Sequence, residues 1–316
     1  MDRQKIKFGV VGVGYLGKHH VKHLSQFDFI DLVGIHDINN QLLEEISNHY
    51  SVPAEKNLND LLKKVDAVSI VTPTKYHFDV ANMALEQNCH VFIEKPISDS
   101  IELANNIYNK VIQKNKVAHV GHIEQFNPAF KSFMKQKHNP LFLECHRLTK
   151  INNRSMDISV VLDLMIHDIG LVIQMINSPI QDIIADGISV ISNNIDLANV
   201  KLIFENGSVA NLTASRISNK DMRKIRVFEK QKYISIDLLN KEIIEHSANF
   251  NENEKLIFNH QNIKINNYDA LAAELTHFYN CIINNNTNLD NISNAIESLK
   301  IAQQINKIIQ TKKVIK

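Results

Sequence analysis

Gly12-Val13-Gly14-Tyr15-Leu16-Gly17 spaces three glycines as G-x-G-x-x-G, directly behind the apolar run IKFGVV at residues 6–11. A short, continuous, β-branched apolar run reads as a strand buried on both faces. Beyond the glycines, YLGKHHVKHLSQF repeats apolar positions at helical spacing (Leu16, His20 or Val21, Leu24). Strand, glycine turn and helix in this order constrain the fold more than any other feature of the chain. Gly12 permits the tight turn, Gly14 lets a pyrophosphate approach the backbone, and Gly17 lets the helix pack on the strand. The helix N-terminus adds N–H donors and partial positive charge, so the expected ligand is a dinucleotide whose phosphates rest on Gly12, Gly14, Tyr15, Leu16 and Gly17.

The alternation continues. FIDLVGIHDIN, DAVSIVTPT, HVFIEKP and KVAHVGHIEQF read as strands, with helical segments between them (QLLEEISNHY, NLNDLLKKV, HFDVANMALEQN, SIELANNIYNKVIQKN). Strands separated by helices form βαβ units, hence a parallel sheet with right-handed crossovers. This regime ends near Phe126-Asn127-Pro128. Beyond it most segments are strand-like, several alternate with period 2, and Glu205-Asn206-Gly207 marks a hairpin. Helices are expected over about 157–177, 268–284 and 291–312. The fold class is therefore α/β: a Rossmann parallel sheet over residues 1–125, then an α/β domain over 126–316 with a mainly antiparallel open sheet, its C-terminal helices packing back.

Composition narrows the function classes. Lys+Arg is 35 against Asp+Glu 34, so no global field favours nucleic acid or an anionic membrane. The most apolar window, ISVVLDLMIHDIGLVIQMI, contains Asp163, His167 and Asp168, which argues against a membrane span. Three widely spaced cysteines (Cys89, Cys145, Cys281) suit a reducing cytoplasm better than a disulfide framework or a zinc motif. His19 and His23 have metal-ligand spacing on a helix but no further ligands beside them, so no metal is expected.

The candidate site follows from the same frame. Asp37 ends the second strand 20 residues after Gly17, where an acid accepts the ribose hydroxyls and repels a 2′-phosphate; Ile38-Asn39-Asn40 follow it, with no Arg, so NAD is expected over NADP. Thr72-Pro73 and Glu94-Lys95-Pro96 end later strands, at the edge where open α/β sheets bind ligands. Proline cannot donate to a sheet ladder and restricts the residue before it, so Pro96 fixes the backbone that carries Lys95. Asp163-Leu164-Met165-Ile166-His167 is D-x-x-x-H, which puts an acid and an imidazole on one helix face in apolar surroundings. Beside a nicotinamide, a base there can take an alcohol proton.

Together, G-x-G-x-x-G-x-x-H (Gly12 to His20), the strand ending at Asp37, VTPTKYH, EKP and D-x-x-x-H resemble the glucose–fructose oxidoreductase/inositol dehydrogenase family of NAD(P)-dependent sugar dehydrogenases, over nearly the whole chain. The resemblance implies that Lys95 and His167 face the substrate, that Asp163 helps to position it, that Thr72, Pro73, His77, Glu94 and Lys95 line the cofactor side, and that the Lys95–Pro96 peptide is cis. It also implies a homodimer or homotetramer assembled through the open sheet. More narrowly, VGHIEQFNPAF, ECHRLTKINNR, VVLDLMIHDI and ANLTASRISNKDMRKIR are similar to the branch of the family that oxidises the 3-hydroxyl of UDP-N-acetylglucosamine ahead of transamination, on the route to amide-linked lipid A. Gln125 departs from that pattern, since many relatives carry Arg there.

A nucleotide-sugar substrate brings a diphosphate, which Arg binds bidentately. Arg216 and Arg223 in the basic run 216–226, and Arg147 and Arg154 before the D-x-x-x-H helix, are the candidates; a solvated loop or an oligomer contact is the plainer explanation of the run. The expected reaction is hydride transfer from a sugar ring carbon to NAD, with His167 as base and Lys95 as hydrogen-bond donor to the same oxygen, or with these two roles exchanged. Another nucleotide sugar, a free sugar or an inositol are alternative substrates. A non-catalytic NAD-binding sensor or corepressor is the alternative of a different class, and it has no need for Lys95, Asp163 and His167 together.

Overall fold

The structure, a computed structural model, describes residues 5–151, 156–250 and 256–314. The buried run at the N-terminus forms β1 (Ile6–Val11), of which only Lys7 faces solvent. There follow α1 (Gly17–Gln26), β2 (Ile30–His36), α2 (Asn40–Tyr50), α3 (Leu58–Leu62), β3 (Ala67–Ile70), α4 (His77–Glu86), β4 (His90–Glu94), α5 (Ile101–Lys114) and β5 (Ala118–Gly121). The five strands are parallel, in the order β2-β1-β3-β4-β5. Strand order reverses between β1 and β3, and ligands of open α/β sheets bind beyond the strand carboxyl ends at such a switch point. The helix boundaries have local causes: Asn39 caps α2 and Ser100 caps α5 through their side chains, and Ser51 and Asn115 close those helices with left-handed backbone.

The second half contains α6 (Pro128–Phe133), β6 (Phe142–Lys150), a π-helical turn (Val161–Met165) leading into α7 (Ile166–Ile176), β7 (Ile180–Ile188), β8 (Leu197–Phe204), β9 (Val209–Ser218), β10 (Met222–Glu229), β11 (Lys232–Asp237), β12 (Glu242–Phe250), β13 (Leu256–Ile263), α8 (Ala270–Ile283) and α9 (Leu289–Val314). The eight strands form one sheet, β13-β12-β11-β10-β6-β9-β8-β7. All its pairings are antiparallel except β6 with β9. The β8–β9 hairpin turns at Gly207, whose φ of +84° is the left-handed backbone that the Asn-Gly signal anticipates.

Alternate residues of this sheet (Leu143 and Cys145, Val200 and Leu202, Leu212 and Ala214, Ile225 and Val227) form one core with α6, α7 and Ile301, Ala302, Ile305 and Ile309 of α9. That period of two is why a sheet with only one covered face was legible in the sequence.

Residues 1–123 together with Leu271–Glu297 form one compact unit, and Glu124–Ala270 with Ser298–Lys316 form the other. The chain thus divides after Ile123, and α8 belongs with the Rossmann sheet. Leu275, Phe278 and Tyr279 of α8 share a core with Phe8, Val10 and Phe29, and the Phe278 ring meets Phe8 edge-on at 6.0 Å. Burying each such side chain is worth roughly 1.5–3 kcal/mol.

Candidate active site

The glycine loop has the geometry its spacing requires. Gly12 adopts φ +88°, and a Cβ there would lie 2.7 Å from the Val71 carbonyl. A Cβ on Gly17 would fall 1.9 Å from the Gly12 oxygen, so α1 can approach the loop only without one. Gly14 is the opposite case: nothing lies within 4 Å of where its Cβ would be. That open side leaves room for a ligand's phosphates, and α1 has no acid in its first turn to repel them. Tyr15 and Leu16, between the glycines, are exposed.

Asp37 follows β2 and turns back to the loop: Val13 N–H donates to its Oδ2 at 2.8 Å and Asn39 N–H to its Oδ1 at 2.9 Å. Across the switch point, Thr72 follows β3, and its Oγ1 is buried with no hydrogen-bond partner among the described residues. An orphaned buried hydroxyl costs about 1–3 kcal/mol unless a ligand completes it. Pro73 beside it is exposed. Together, the open side at Gly14, the unsatisfied Thr72 and the carboxylate at the ribose position fit a dinucleotide.

Glu94-Lys95-Pro96 closes β4, and the Lys95–Pro96 peptide is cis. Glu94 is held by two hydrogen bonds. His20 of α1 donates from Nε2 to Glu94 Oε1 at 3.2 Å, while its Nδ1 sits 2.8 Å from the Ser69 hydroxyl. The Lys95 N–H donates to Glu94 Oε2 at 3.2 Å. Gly121, paired with Glu94 across β4 and β5, leaves the space: a Cβ there would stand 2.9 Å from Oε1. Burial penalises the Glu94 charge, but the hydrogen bond and charge of His20 and the charge of Lys95 outweigh it and lower its pKa. His122, buried at the end of β5, is pushed down to about 4 by burial and then by the Lys95 charge, so it is neutral at pH 7.

In the second unit, Asp163 lies on the π-helical turn and His167 on the first turn of α7, both half-buried. The D-x-x-x-H spacing predicts one regular helix here; instead a wider turn precedes it, with Ser159 Oγ accepting from Leu162 N–H at 3.4 Å. Such π-turns interrupt helices frequently at functional sites.

Asp168, next to His167, is tied into a buried ion network. Arg147 Nε donates to both Asp168 oxygens (3.1 and 3.0 Å), Nη2 to Oδ1 (2.8 Å) and Nη1 to Glu124 Oε1 (2.8 Å). Burial raises Asp168 above the usual carboxylate range despite Arg147; Glu124, facing both Arg147 and Arg223, is lowered in spite of its own burial.

These contacts correct part of the diphosphate expectation. Arg147 is buried and its guanidinium is taken by two carboxylates, so it does not fit a phosphate contact. Arg216 is also buried, donating to the Ile158 carbonyl beside Asp196. Arg223 keeps 44% of its side chain exposed while touching Glu124 at 3.3 Å, and among the described residues of the set it is the one that fits. Arg154 lies outside the described residues. His77 is buried, with both ring nitrogens against backbone carbonyls, so it acts on its neighbours rather than on the cofactor directly. Sequence reasoning passed over Ser69, His122, Glu124 and Asp168. Among the described residues no cluster of three or more His, Cys, Asp or Glu could hold a metal ion, and no helix is long and apolar enough to cross a membrane.

A parallel sheet with a glycine phosphate loop at its switch point, an acid after β2 and a lysine on the β4 corner define a dinucleotide-binding oxidoreductase. The profile of the oxidoreductase family with an NAD-binding Rossmann fold (Gfo/Idh/MocA) matches residues 6–122. UDP-N-acetylglucosamine 3-dehydrogenase of Acidithiobacillus ferrooxidans is 34% identical over 279 residues, 88% of each chain. A solved structure of that enzyme superposes with a TM-score of 0.91 at 31% identity, covering 97% of this chain and 98% of the other. The scyllo-inositol dehydrogenase of Lactobacillus casei, solved with NAD(H) and scyllo-inositol, shares the fold at a TM-score of 0.80 and 18% identity, with 98% of each chain covered. The chain belongs to the Gfo/Idh/MocA family of NAD-binding oxidoreductases.

Proposed function

We propose that this chain is an NAD-dependent dehydrogenase that oxidises a ring hydroxyl of a nucleotide sugar to a ketone, at C3 of UDP-N-acetylglucosamine. The observation that carries this reading is the 34% identity to a UDP-N-acetylglucosamine 3-dehydrogenase across 88% of both chains. Asp37 after β2, with no arginine behind it, supports NAD over NADP.

NAD, when bound, supplies the hydride acceptor. The glycine loop and Thr72 hold and orient it, and Asp37 takes its ribose hydroxyls. His167 removes the proton of the reacting hydroxyl, and Lys95 donates a hydrogen bond to the same oxygen as the carbonyl forms. Asp163 orients the sugar, and Arg223 binds the diphosphate. General base action contributes on the order of 10²–10⁴-fold, and fixed orientation several kcal/mol more. A 3-keto sugar nucleotide is a substrate for transamination, which supports a place before an amino-sugar step of lipid A type.

The outward face of the eight-stranded sheet carries a ladder of rings, Phe142, Phe228, Tyr233, His246 and His260, with successive centroids 5.9, 5.1, 5.6 and 4.7 Å apart. We assign this face to self-association, as a homodimer or homotetramer. The three buried, reduced cysteines support a cytoplasmic setting.

The test is absorbance at the NADH band, with NAD⁺ and a panel of UDP-sugars, free sugars and inositols, and with an aminotransferase added to pull the equilibrium. Turnover highest with UDP-N-acetylglucosamine is expected. Turnover confined to inositol or free sugars, or tight NAD binding with none, would overturn the assignment.

A further inference from the structure

His77 opens α4 directly behind a 3₁₀ turn at Thr74–Tyr76, and it is 1% exposed. Its Nδ1 stands 2.8 Å from the Pro96 carbonyl oxygen and its Nε2 2.8 Å from the Thr72 carbonyl oxygen. Both partners are pure acceptors, so each contact asks the ring for an N–H. A neutral imidazole donates through one nitrogen and an imidazolium through both. Burial, the largest influence, lowers the His77 pKa and favours the neutral ring; against it, two 2.8 Å contacts to oxygens that only accept call for the doubly protonated ring, which the charges of Glu94 and Asp99 also favour. A ring that merely filled space at this place would need neither oxygen. This one touches two, at the ends of different strands.

The two carbonyls belong to residues that matter for the site. Pro96 follows Lys95 on the β4 corner. Thr72 follows β3 and carries the buried hydroxyl that lacks a partner among the described residues. We propose that His77 is a positioning residue that ties these two strand ends together, Nδ1 setting the Lys95–Pro96 corner and Nε2 setting Thr72 for the cofactor. Each nitrogen then has its own kinetic consequence, one in the chemical step and one in dinucleotide affinity. The kinetic half rests on the dehydrogenase reading; the affinity half needs only the dinucleotide site.

Two substitutions separate the halves. The amide nitrogen of His77→Asn stands near Nδ1 and keeps a donor for Pro96, whereas that of His77→Gln stands near Nε2 and keeps one for Thr72. The measurements are NADH affinity, from the enhancement of NADH fluorescence, and kcat with UDP-N-acetylglucosamine, alongside thermal denaturation. H77Q should lose more in kcat and H77N more in NADH affinity, the two differing by roughly 3–10-fold in opposite senses, the worth of one hydrogen bond. Equal proportional losses of both quantities in both variants would reduce His77 to a packing residue and overturn the proposal.

If the native protein has no turnover with UDP-N-acetylglucosamine, the dehydrogenase reading fails, while the order of NADH affinities still decides the role of His77. Should neither variant fold, proton NMR of the native protein decides: two His77 ring N–H signals protected from solvent exchange, one for each nitrogen, are expected, and a single protected N–H, or rapid exchange at both nitrogens, would contradict the brace.

Discussion

At the scale of single residues, Lys95 and His167 carry the proposed chemistry, and the two differ in how they are held. Lys95 sits on a corner whose flanking groups are fixed by side chains from two helices: His20 of α1 on Glu94, His77 of α4 on the Pro96 carbonyl. His167 sits on a helix whose next residue, Asp168, is clamped by Arg147. Lys95→Ala and His167→Ala should each lower kcat by on the order of 10²–10⁴-fold while NAD affinity changes little, because neither substitution touches the glycine loop or Asp37. Steady-state kinetics with NADH titrations check this; near-native turnover in both variants would remove them from the reaction. The places of Lys95 at a strand end, of His167 on a helix and of the glycines in a turn were legible in the sequence because these are local patterns; the π-helical turn under Asp163 was not. The Ser69–His20–Glu94 chain was not, since its bonds join residues 49 and 74 positions apart, which leave no periodic trace.

At the scale of elements, the Glu124–Arg147–Asp168 network fastens α7 to β6 and to the turn before α6. Three charges, each at most 5% exposed, are tolerable only as a set. Removing Arg147 leaves two buried carboxylates without the cation they share, at a cost of about 3–5 kcal/mol. Arg147→Met should therefore lower the unfolding free energy by about that amount in urea titrations, and a change below about 1 kcal/mol would show that the network is not closed. The sequence did suggest a role for Arg147, as an anion contact before the helix, and the structure gives the reason it has another: two carboxylates reach its guanidinium first. Phe142 to Lys150 alternates cleanly enough to be read as a strand, but which face of that strand meets two acids 21 and 23 residues away depends on tertiary packing alone.

At the scale of the whole molecule, the sheet order in the first unit puts the glycine loop and Thr72 on either side of the switch point, and the second unit is a one-sided sheet. Its covered face is closed by helices. Its other face presents the ring ladder from β6 to β13, which self-association would bury. Phe228→Glu, in the middle of that ladder, should shift the protein toward a smaller species in sedimentation velocity without removing NADH binding, since the glycine loop lies in the other unit. An unchanged sedimentation coefficient would place the assembly surface elsewhere. That the C-terminal helices pack back was expected from the sequence, but not which core each serves: the apolar positions of α8 fit any core, and it is Leu275, Phe278 and Tyr279 beside Phe8 and Phe29 that tie it to the first unit.

The central claim is that a hydride leaves C3 of a sugar nucleotide for NAD on this chain. UDP-N-acetylglucosamine carrying deuterium at C3 tests it directly, with mass spectrometry of both products after turnover with NAD⁺. The account predicts deuterium in the reduced nicotinamide and a sugar that has lost its label. Reduced nicotinamide without deuterium, beside a labelled sugar, would contradict it.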